Sequence, residues 1–181
     1  RDVPEKRRPK VIGITGTNGK STTTALIGHI LRETGRKTVV GGNIGDAILA
    51  QDPPSPGLHY VLELSSYQID LTHSLACDVA VLLNITPDHI DRHGDFDGYF
   101  RAKQRLFEMQ APSGQAVIGI DDNETAAFFS RLRQTRREEQ VVPISSGRVF
   151  ARGVYALGDR VYDALDTASH PAVDLKRAPA L

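Results

Sequence analysis

The sequence predicts an α/β fold, a mostly parallel sheet flanked by helices on both faces with a small antiparallel addition near the C-terminus. Three observations predict it. Short apolar, β-rich runs recur at 11–14, 38–40, 60–64, 78–83, 115–120 and 140–145, separated by helical patterns or loops, the alternation that gives right-handed crossovers and parallel pairing. Several of these runs end abruptly in polar residues, as strands do where a ligand crevice lies at their carboxyl ends. Beyond residue 147 the spacing shortens, with runs at 147–150, 153–156 and 160–163 and a Gly158-Asp159 turn, the pattern of short antiparallel strands.

The stretch 10–24 organises the chain. Its apolar run, expected to be the central strand, passes directly into Gly16-Thr17-Asn18-Gly19-Lys20-Ser21-Thr22 and then a helical pattern. Strand, glycine loop and helix in that order make a phosphate loop. The glycines let the backbone turn and present N–H groups to a polyphosphate at the positive helix end. Lys20 supplies a mobile charge for the β- and γ-phosphates, and the Ser21 hydroxyl can ligate magnesium. The longer G-x-x-x-x-G-K-[ST] pattern is not met, because Ile14 stands where its first glycine belongs.

Composition narrows the function classes. The 22 Lys+Arg balance 22 Asp+Glu, so no global basic field exists to hold nucleic acid, and a phosphate ligand requires a local site. The single cysteine, Cys77, cannot form an internal disulfide, and neither a long apolar span nor a signal peptide is present. A reducing cytoplasm is the simplest reading. A chain of 181 residues suits one domain with a sizeable core, here placed at 10–181 after a charged, proline-containing linker at 1–9. The first residue is Arg1 and the last residues carry no cap, so a piece of a longer protein is expected.

Along the chain, Ala25, Leu26, Ile30 and Leu31 form a stripe at helical spacing, ended by Thr34-Gly35. His29 reads as a packed or surface residue. The second strand runs into Gly41-Gly42-Asn43-Ile44-Gly45; the glycines permit close approach to a ligand, although on pattern alone a tight turn before a helix at 46–50 is the better reading. Residues 52–57 read as loop. In the next strand Glu63 interrupts an apolar run just before Ser65-Ser66. A buried carboxylate must be paired, protonated or bound to a cation, which makes Glu63 the natural partner of Ser21 on magnesium; a solvated strand-end glutamate is the alternative. After the run at 78–83 come Asn84, Thr86, Asp88, His89, Asp91, Arg92 and His93. His89 is a candidate metal ligand with a neighbouring carboxylate to fix its tautomer, whereas His93 reads as solvated. An amphipathic helix is expected at 96–110, in which Lys103 taken alone is an ordinary helix-face lysine. Asp121-Asp122-Asn123-Glu124 signals the start of a helix at 125–132, 131–139 reads as solvated helix end and loop, and the sequence after 163 reads as a loose ending.

Taken together, Gly16-Thr17-Asn18-Gly19-Lys20-Ser21-Thr22, Gly42-Asn43-Ile44-Gly45, Glu63-Leu64-Ser65-Ser66-Tyr67-Gln68, Asn84-Ile85-Thr86-Pro87-Asp88-His89-Ile90-Asp91-Arg92 and Tyr99-Phe100-Arg101-Ala102-Lys103 resemble the central ATP-binding domain of the Mur ligases, from about residue 10 to residue 123. Within that family, Glu-Leu-Ser-Ser-Tyr-Gln is most similar to members that add D-glutamate to UDP-N-acetylmuramoyl-L-alanine. The resemblance implies an ATP-dependent amide ligase of peptidoglycan precursor synthesis, working through an acyl-phosphate. Gly16, Thr17, Asn18, Gly19, Lys20, Ser21 and Thr22 would bind ATP; Ser21 and Glu63 would hold one Mg2+, and His89 and a carbamylated Lys103 a second. Asn43, Ser65 and His89 match positions that face the nucleotide-sugar substrate. The family's N-terminal and C-terminal domains and its adenine-holding helix have no counterpart here, so the chain by itself is expected to be inactive. A monomer is expected, with neither nucleic acid nor membrane as a partner. Two rival readings stand beside this one: a folylpolyglutamate synthase-like ligase, which shares the domain plan, and a phosphate-loop module that binds a nucleotide without catalysis. Glu63, His89 and Lys103 argue against the last, since binding alone needs no second metal site.

Overall fold

The computed structural model describes residues 8–44, 55–166 and 170–177. Residues 1–7 of the linker expected at 1–9, the helix expected at 46–50 and residues 52–54 of the loop expected at 52–57 lie outside the described residues. The chain divides into two compact units, Arg1–Gly114 and Gln115–Leu181.

The first unit contains β1 (Lys10–Thr15), α1 (Lys20–Glu33), β2 (Thr38–Gly42), β3 (His59–Glu63), α2 (Ser66–Asp70), β4 (Val79–Leu82), α3 (Ile90–His93) and α4 (Phe96–Glu108). Its strands run in the order β2-β3-β1-β4 and all pair in parallel, which places β1 inside the sheet as expected. Register fixes the two faces. Val40 pairs with Val61 and Val61 with Ile12, so these three side chains share one face. Gly28 of α1 meets Val40 there, closely enough that an added Cβ would lie 2.3 Å from it. Gly13 points the other way, toward Leu106 of α4. Helices therefore cover both faces, and Ile14, Val61, Leu82, Tyr99, Leu106 and Phe107 fill the core between sheet and helices.

One local expectation for this unit is corrected. The stripe on α1 is not its buried side: Leu26 and Ile30 are 47% and 50% exposed, and the helix docks through Thr24 and Gly28. The close approach of Gly28 to Val40, which only a residue without a side chain permits, outweighs the apolar periodicity. The polar stretches after β3 and β4 each contain a short helix that periodicity could not reveal at so few residues. α2 is held by a capping box between Ser65 and Gln68. α3 starts from His89 in the left-handed region (φ 50°), which no other non-glycine residue among those described adopts.

The second unit contains β5 (Gln115–Gly119), α5 (Asn123–Thr135), a 3-10 turn at Glu138–Gln140, β6 (Val141–Ser145), β7 (Val154–Leu157), β8 (Arg160–Asp163), β9 (His170–Asp174) and a 3-10 turn at Leu175–Arg177. The Asp122 carboxylate caps α5 by accepting from the Thr125 N–H at 2.9 Å. β5, β6 and β7 are parallel, and β7, β8 and β9 antiparallel.

The antiparallel addition thus exists, with different limits from those expected. Residues 147–150 are not a strand, because the Ser145 hydroxyl oxygen accepts from the N–H groups of Gly147 and Arg148 at 3.0 and 2.8 Å, taking donors that a ladder would need. β7 joins β6 in parallel before pairing with β8. β9 lies in the expected loose ending; it is an edge strand, largely exposed and containing Pro171, so neither face carries an apolar alternation.

Candidate functional site

Parallel pairing gathers the carboxyl ends of β1 to β4 along one edge of the first unit, and the sequence places its polar clusters just beyond those ends. The phosphate loop follows β1. Gly16 (φ 151°) presses against the next connection, where an added Cβ would lie 3.1 Å from Leu83 Cβ and 3.4 Å from the Asn84 backbone. Gly19 closes the loop as the N-cap of α1 without a side-chain cap, which leaves the first-turn N–H groups of Lys20, Ser21 and Thr22 unclaimed by any capping side chain. The Lys20 ammonium folds back to donate to the Thr17 carbonyl at 2.8 Å. Ser21 and Thr22 are exposed.

The crown of the loop is held from β4. Asn84 Oδ1 accepts from the N–H groups of Thr17 and Asn18 at 3.2 and 2.9 Å, and Asn84 Nδ2 donates to the Asn18 carbonyl at 3.1 Å. The Thr17 hydroxyl oxygen accepts from the Thr86 N–H at 2.9 Å and lies 3.2 Å from the Tyr99 hydroxyl. The N–H groups of Thr17 and Asn18 are therefore already engaged, and the donors left for an anion are those at the start of α1.

Glu63 is 2% exposed. Its Oε1 accepts from Asn43 Nδ2 at 3.1 Å, joining two expected site residues, while Oε2 is buried with no hydrogen-bond partner. A buried carboxylate oxygen left in this state calls for a cation. No group of three or more His, Cys, Asp or Glu side chains able to hold a metal occurs among the described residues. A buried carboxylate oxygen of this kind fits Mg2+, a hard ion that takes one or two protein oxygens and completes its shell with phosphate and water.

Lys103 is also 2% exposed. Its Nζ donates to the Gly16 carbonyl at 2.9 Å and to Thr15 Oγ1 at 3.4 Å, and lies 4.7 Å from the centre of the Tyr99 ring. The Thr15 hydroxyl in turn donates to the Leu64 carbonyl at 2.8 Å. This corrects the reading of Lys103 as an ordinary helix-face lysine. Burial first, then the charge of Lys20, push its ammonium down to about 7 against an opposing pull from Asp88.

His89 is half-exposed, with Nε2 3.5 Å from Asp88 Oδ2. Its ring packs 5.0 Å from Tyr67 and 6.2 Å from Tyr99. His93, expected in solvent, is instead fastened: Nε2 is 3.0 Å from Ser66 Oγ and the ring lies 5.6 and 5.7 Å from Tyr67 and Tyr99. Ser65, expected to face a substrate, caps α2 by accepting from the Gln68 N–H at 3.3 Å. Sequence reasoning gave no role to Asn84, Tyr99 or His93. The signal available for Asn84 was its place directly after a buried strand, level with the phosphate loop.

Comparison with known proteins points to one family. The family model "Mur ligase middle domain" matches residues 14–154. The chain is 52% identical over 179 residues to a UDP-N-acetylmuramoylalanine–D-glutamate ligase from Caulobacter sp. (strain K31), covering 99% of this chain and 38% of that protein. A protein of the same name from Zymomonas mobilis is 66% identical over 116 residues, 64% of this chain and 26% of that one. Among solved structures, a UDP-N-acetylmuramoyl-L-alanyl-D-glutamate–2,6-diaminopimelate ligase matches with TM-score 0.69 at 25% identity, over 90% of this chain and 39% of its own. The MurF ligase of Thermotoga maritima in complex with ADP shares the fold, with TM-score 0.63 at 18% identity over 86% of this chain and 37% of its own. The chain spans 38% of the length of the Caulobacter relative. With the model matched across both units and the phosphate loop, Glu63, His89 and Lys103 set on one sheet edge, the chain belongs to the Mur ligase family, as a middle domain.

Proposed function

We propose that this chain is the ATP-handling part of a ligase that joins D-glutamate to the carboxyl group of UDP-N-acetylmuramoyl-L-alanine, releasing ADP and phosphate. The observation that carries the reading is Lys103, a buried lysine whose amine sits 2.9 Å from the carbonyl of the phosphate-loop residue Gly16. The name shared by the relatives at 52% and 66% identity supports the choice of substrates.

A carboxylate has no good leaving group, so it must be activated before an amine can displace anything from it. The N–H groups at the start of α1 and the Lys20 ammonium hold the β- and γ-phosphates in line with the incoming carboxylate. Its oxygen bonds to the γ-phosphorus, the bond to ADP breaks, and an acyl-phosphate forms; the D-glutamate amine then attacks the carbonyl carbon, expels phosphate and loses a proton. Ser21 and Glu63 would hold one Mg2+, and His89 with a carbamylated Lys103 the other. Bound magnesium supplies positive charge where the phosphoryl and carboxylate oxygens crowd together.

The amine's surroundings support carbamylation. A lysine pushed down to about 7 is partly neutral at physiological pH, and its lone pair can bond to the carbon of carbon dioxide while a proton leaves Nζ. The product is an anionic oxygen ligand that retains one N–H for the Gly16 carbonyl. Asn43, Ser65 and His89 would face the nucleotide-sugar substrate. The reading places the enzyme in a reducing cytoplasm as a monomer, in keeping with a lone buried Cys77 whose thiol is pushed up to about 12 by burial and by the charge of Asp78.

The deciding measurement is phosphate release by the full-length protein with ATP, UDP-N-acetylmuramoyl-L-alanine and each of several amino acids. Turnover should require D-glutamate. Turnover on a folate instead, or nucleotide binding without turnover, would overturn the reading in favour of its rivals.

A further inference from the structure

We propose that Asn84 is the positioning residue of the phosphate loop, fixing the crown of the loop in the shape that leaves the α1 N-terminus as its anion site; the inference rests on the ATP-handling role proposed above. Its carboxamide makes three hydrogen bonds to two consecutive loop residues: Oδ1 accepts from Thr17 N–H at 3.2 Å and Asn18 N–H at 2.9 Å, and Nδ2 donates to Asn18 O at 3.1 Å. The orientation of the amide group is settled by chemistry, because two N–H donors can meet only the oxygen and a carbonyl only the nitrogen. The Asn84 carbonyl adds a further contact, accepting from Thr17 N–H at 3.1 Å.

These bonds matter because this loop is shorter than the full phosphate-loop pattern, with Ile14 in place of the first glycine. A short loop with free N–H groups could turn them inward or outward. Asn84 removes that freedom by taking the Thr17 and Asn18 donors away from the ligand side. Only the donors from Gly19 onward remain, where the helix end reinforces them. Asn84 itself stands on firm ground, since the preceding Leu83 N–H donates to the Thr15 carbonyl at 3.0 Å, which ties the two strand ends together. Glycine at 16 is part of the same fit, because a side chain there would press on the backbone of Asn84.

Substitutions separate positioning from bulk stability. Asn84→Ala leaves the N–H and the carbonyl of Asn18 without their side-chain partner, while the Thr17 N–H keeps the backbone carbonyl of residue 84. Asn84→Asp keeps the oxygen that accepts from both N–H groups but faces the Asn18 carbonyl with a lone pair and adds negative charge beside the phosphates. In the full-length protein, Asn84→Ala should weaken ADP binding, read by calorimetry, and raise the KM for ATP by about tenfold. The KM values for the acceptor and for D-glutamate should change by less than about threefold. Hydrogen exchange at the amide of Asn18 should quicken in Asn84→Ala, more than at Thr17, whose N–H keeps the residue-84 carbonyl, and should stay near wild type in Asn84→Asp, whose loss of nucleotide affinity should be larger at low salt.

Unchanged ADP affinity in Asn84→Ala would overturn the inference, as would an equal rise in all three KM values accompanied by a lowered unfolding midpoint. If Asn84→Ala fails to fold, Asn84→Asp decides alone, and wild-type ADP affinity at low salt would overturn the proposal. Failure of the wild-type protein to bind ADP would instead sink the ATP-handling reading.

Discussion

Lys103 Nζ donates a 2.9 Å hydrogen bond to the carbonyl oxygen of Gly16, so the buried lysine of α4 is fastened to the backbone of the phosphate loop rather than to an acid. A neutral carbonyl stabilises an ammonium far less than a carboxylate would, and Lys20 lies close enough to repel it. The amine is therefore held where it can be neutral, next to the loop that it helps to shape.

This sets a pH dependence with a definite sign. In the unfolded chain Lys103 keeps its proton to the usual lysine value of 10.5, whereas in the folded state it loses it at about 7. The unfolded state thus binds more protons between these limits, and stability rises with pH across that window and is flat below it. In metal-free buffer without carbon dioxide, wild-type stability relative to Lys103→Met should climb by about 1 kcal/mol per pH unit between about pH 7 and 10. Urea unfolding at intervals of pH reads the difference; parallel curves for the two proteins would refute it.

Lys20→Ala should abolish turnover of the full-length enzyme while changing stability by less than about 0.5 kcal/mol, because the half-buried side chain is tied to the protein by a hydrogen bond to the carbonyl of Thr17 and fills no core position. Removal of its charge should also raise the Lys103 value, since that charge is part of what lowers it. Loss of the folded state in this variant would show that Lys20 is structural.

Glu63→Gln keeps an acceptor for Asn43 Nδ2 and discards a buried charge whose second oxygen has no partner. Without magnesium the variant should be as stable as wild type or more so. Its magnesium requirement for turnover should rise by about tenfold or more, the loss of one charged ligand. Thermal unfolding in EDTA beside a magnesium titration of the rate distinguishes a metal ligand from a core acid, whose replacement would lower stability and leave the titration unmoved.

Gly42→Ala places a methyl group 2.1 Å from the Glu63 carbonyl oxygen at a φ of +105°, so it should cost about 3 kcal/mol or more and disturb Asn43 with it. Gly35→Ala provides the control. Its φ is also positive, at +77°, but nothing lies within 4 Å of the added carbon, and the cost should stay at about 1 kcal/mol. Equal denaturation midpoints for the two variants would contradict this reading of β2 against β3.

The sequence by itself determined the parallel strands, the order of strand, phosphate loop and helix at 10–24, and the helix that carries Lys103, because each depends on local signals: β-rich runs, glycines before a lysine, and an apolar period of 3.6. It also marked Glu63, since a carboxylate inside an apolar run is conspicuous before anything is known of its neighbours. The tertiary structure decided what these residues touch. Whether Lys103 faces water or the Gly16 carbonyl depends on the packing of α4 against the sheet, and no periodicity records which of several helix faces lies over the phosphate loop. The same holds for α1, whose stripe at Leu26 and Ile30 looked inward by pattern and turned outward once Gly28 met Val40. Asn84 shows the limit most plainly. Its partners Thr17 and Asn18 stand 67 and 66 positions away along the chain, and only the parallel pairing of β1 with β4 brings a carboxamide at one strand end against the backbone of a loop at the other.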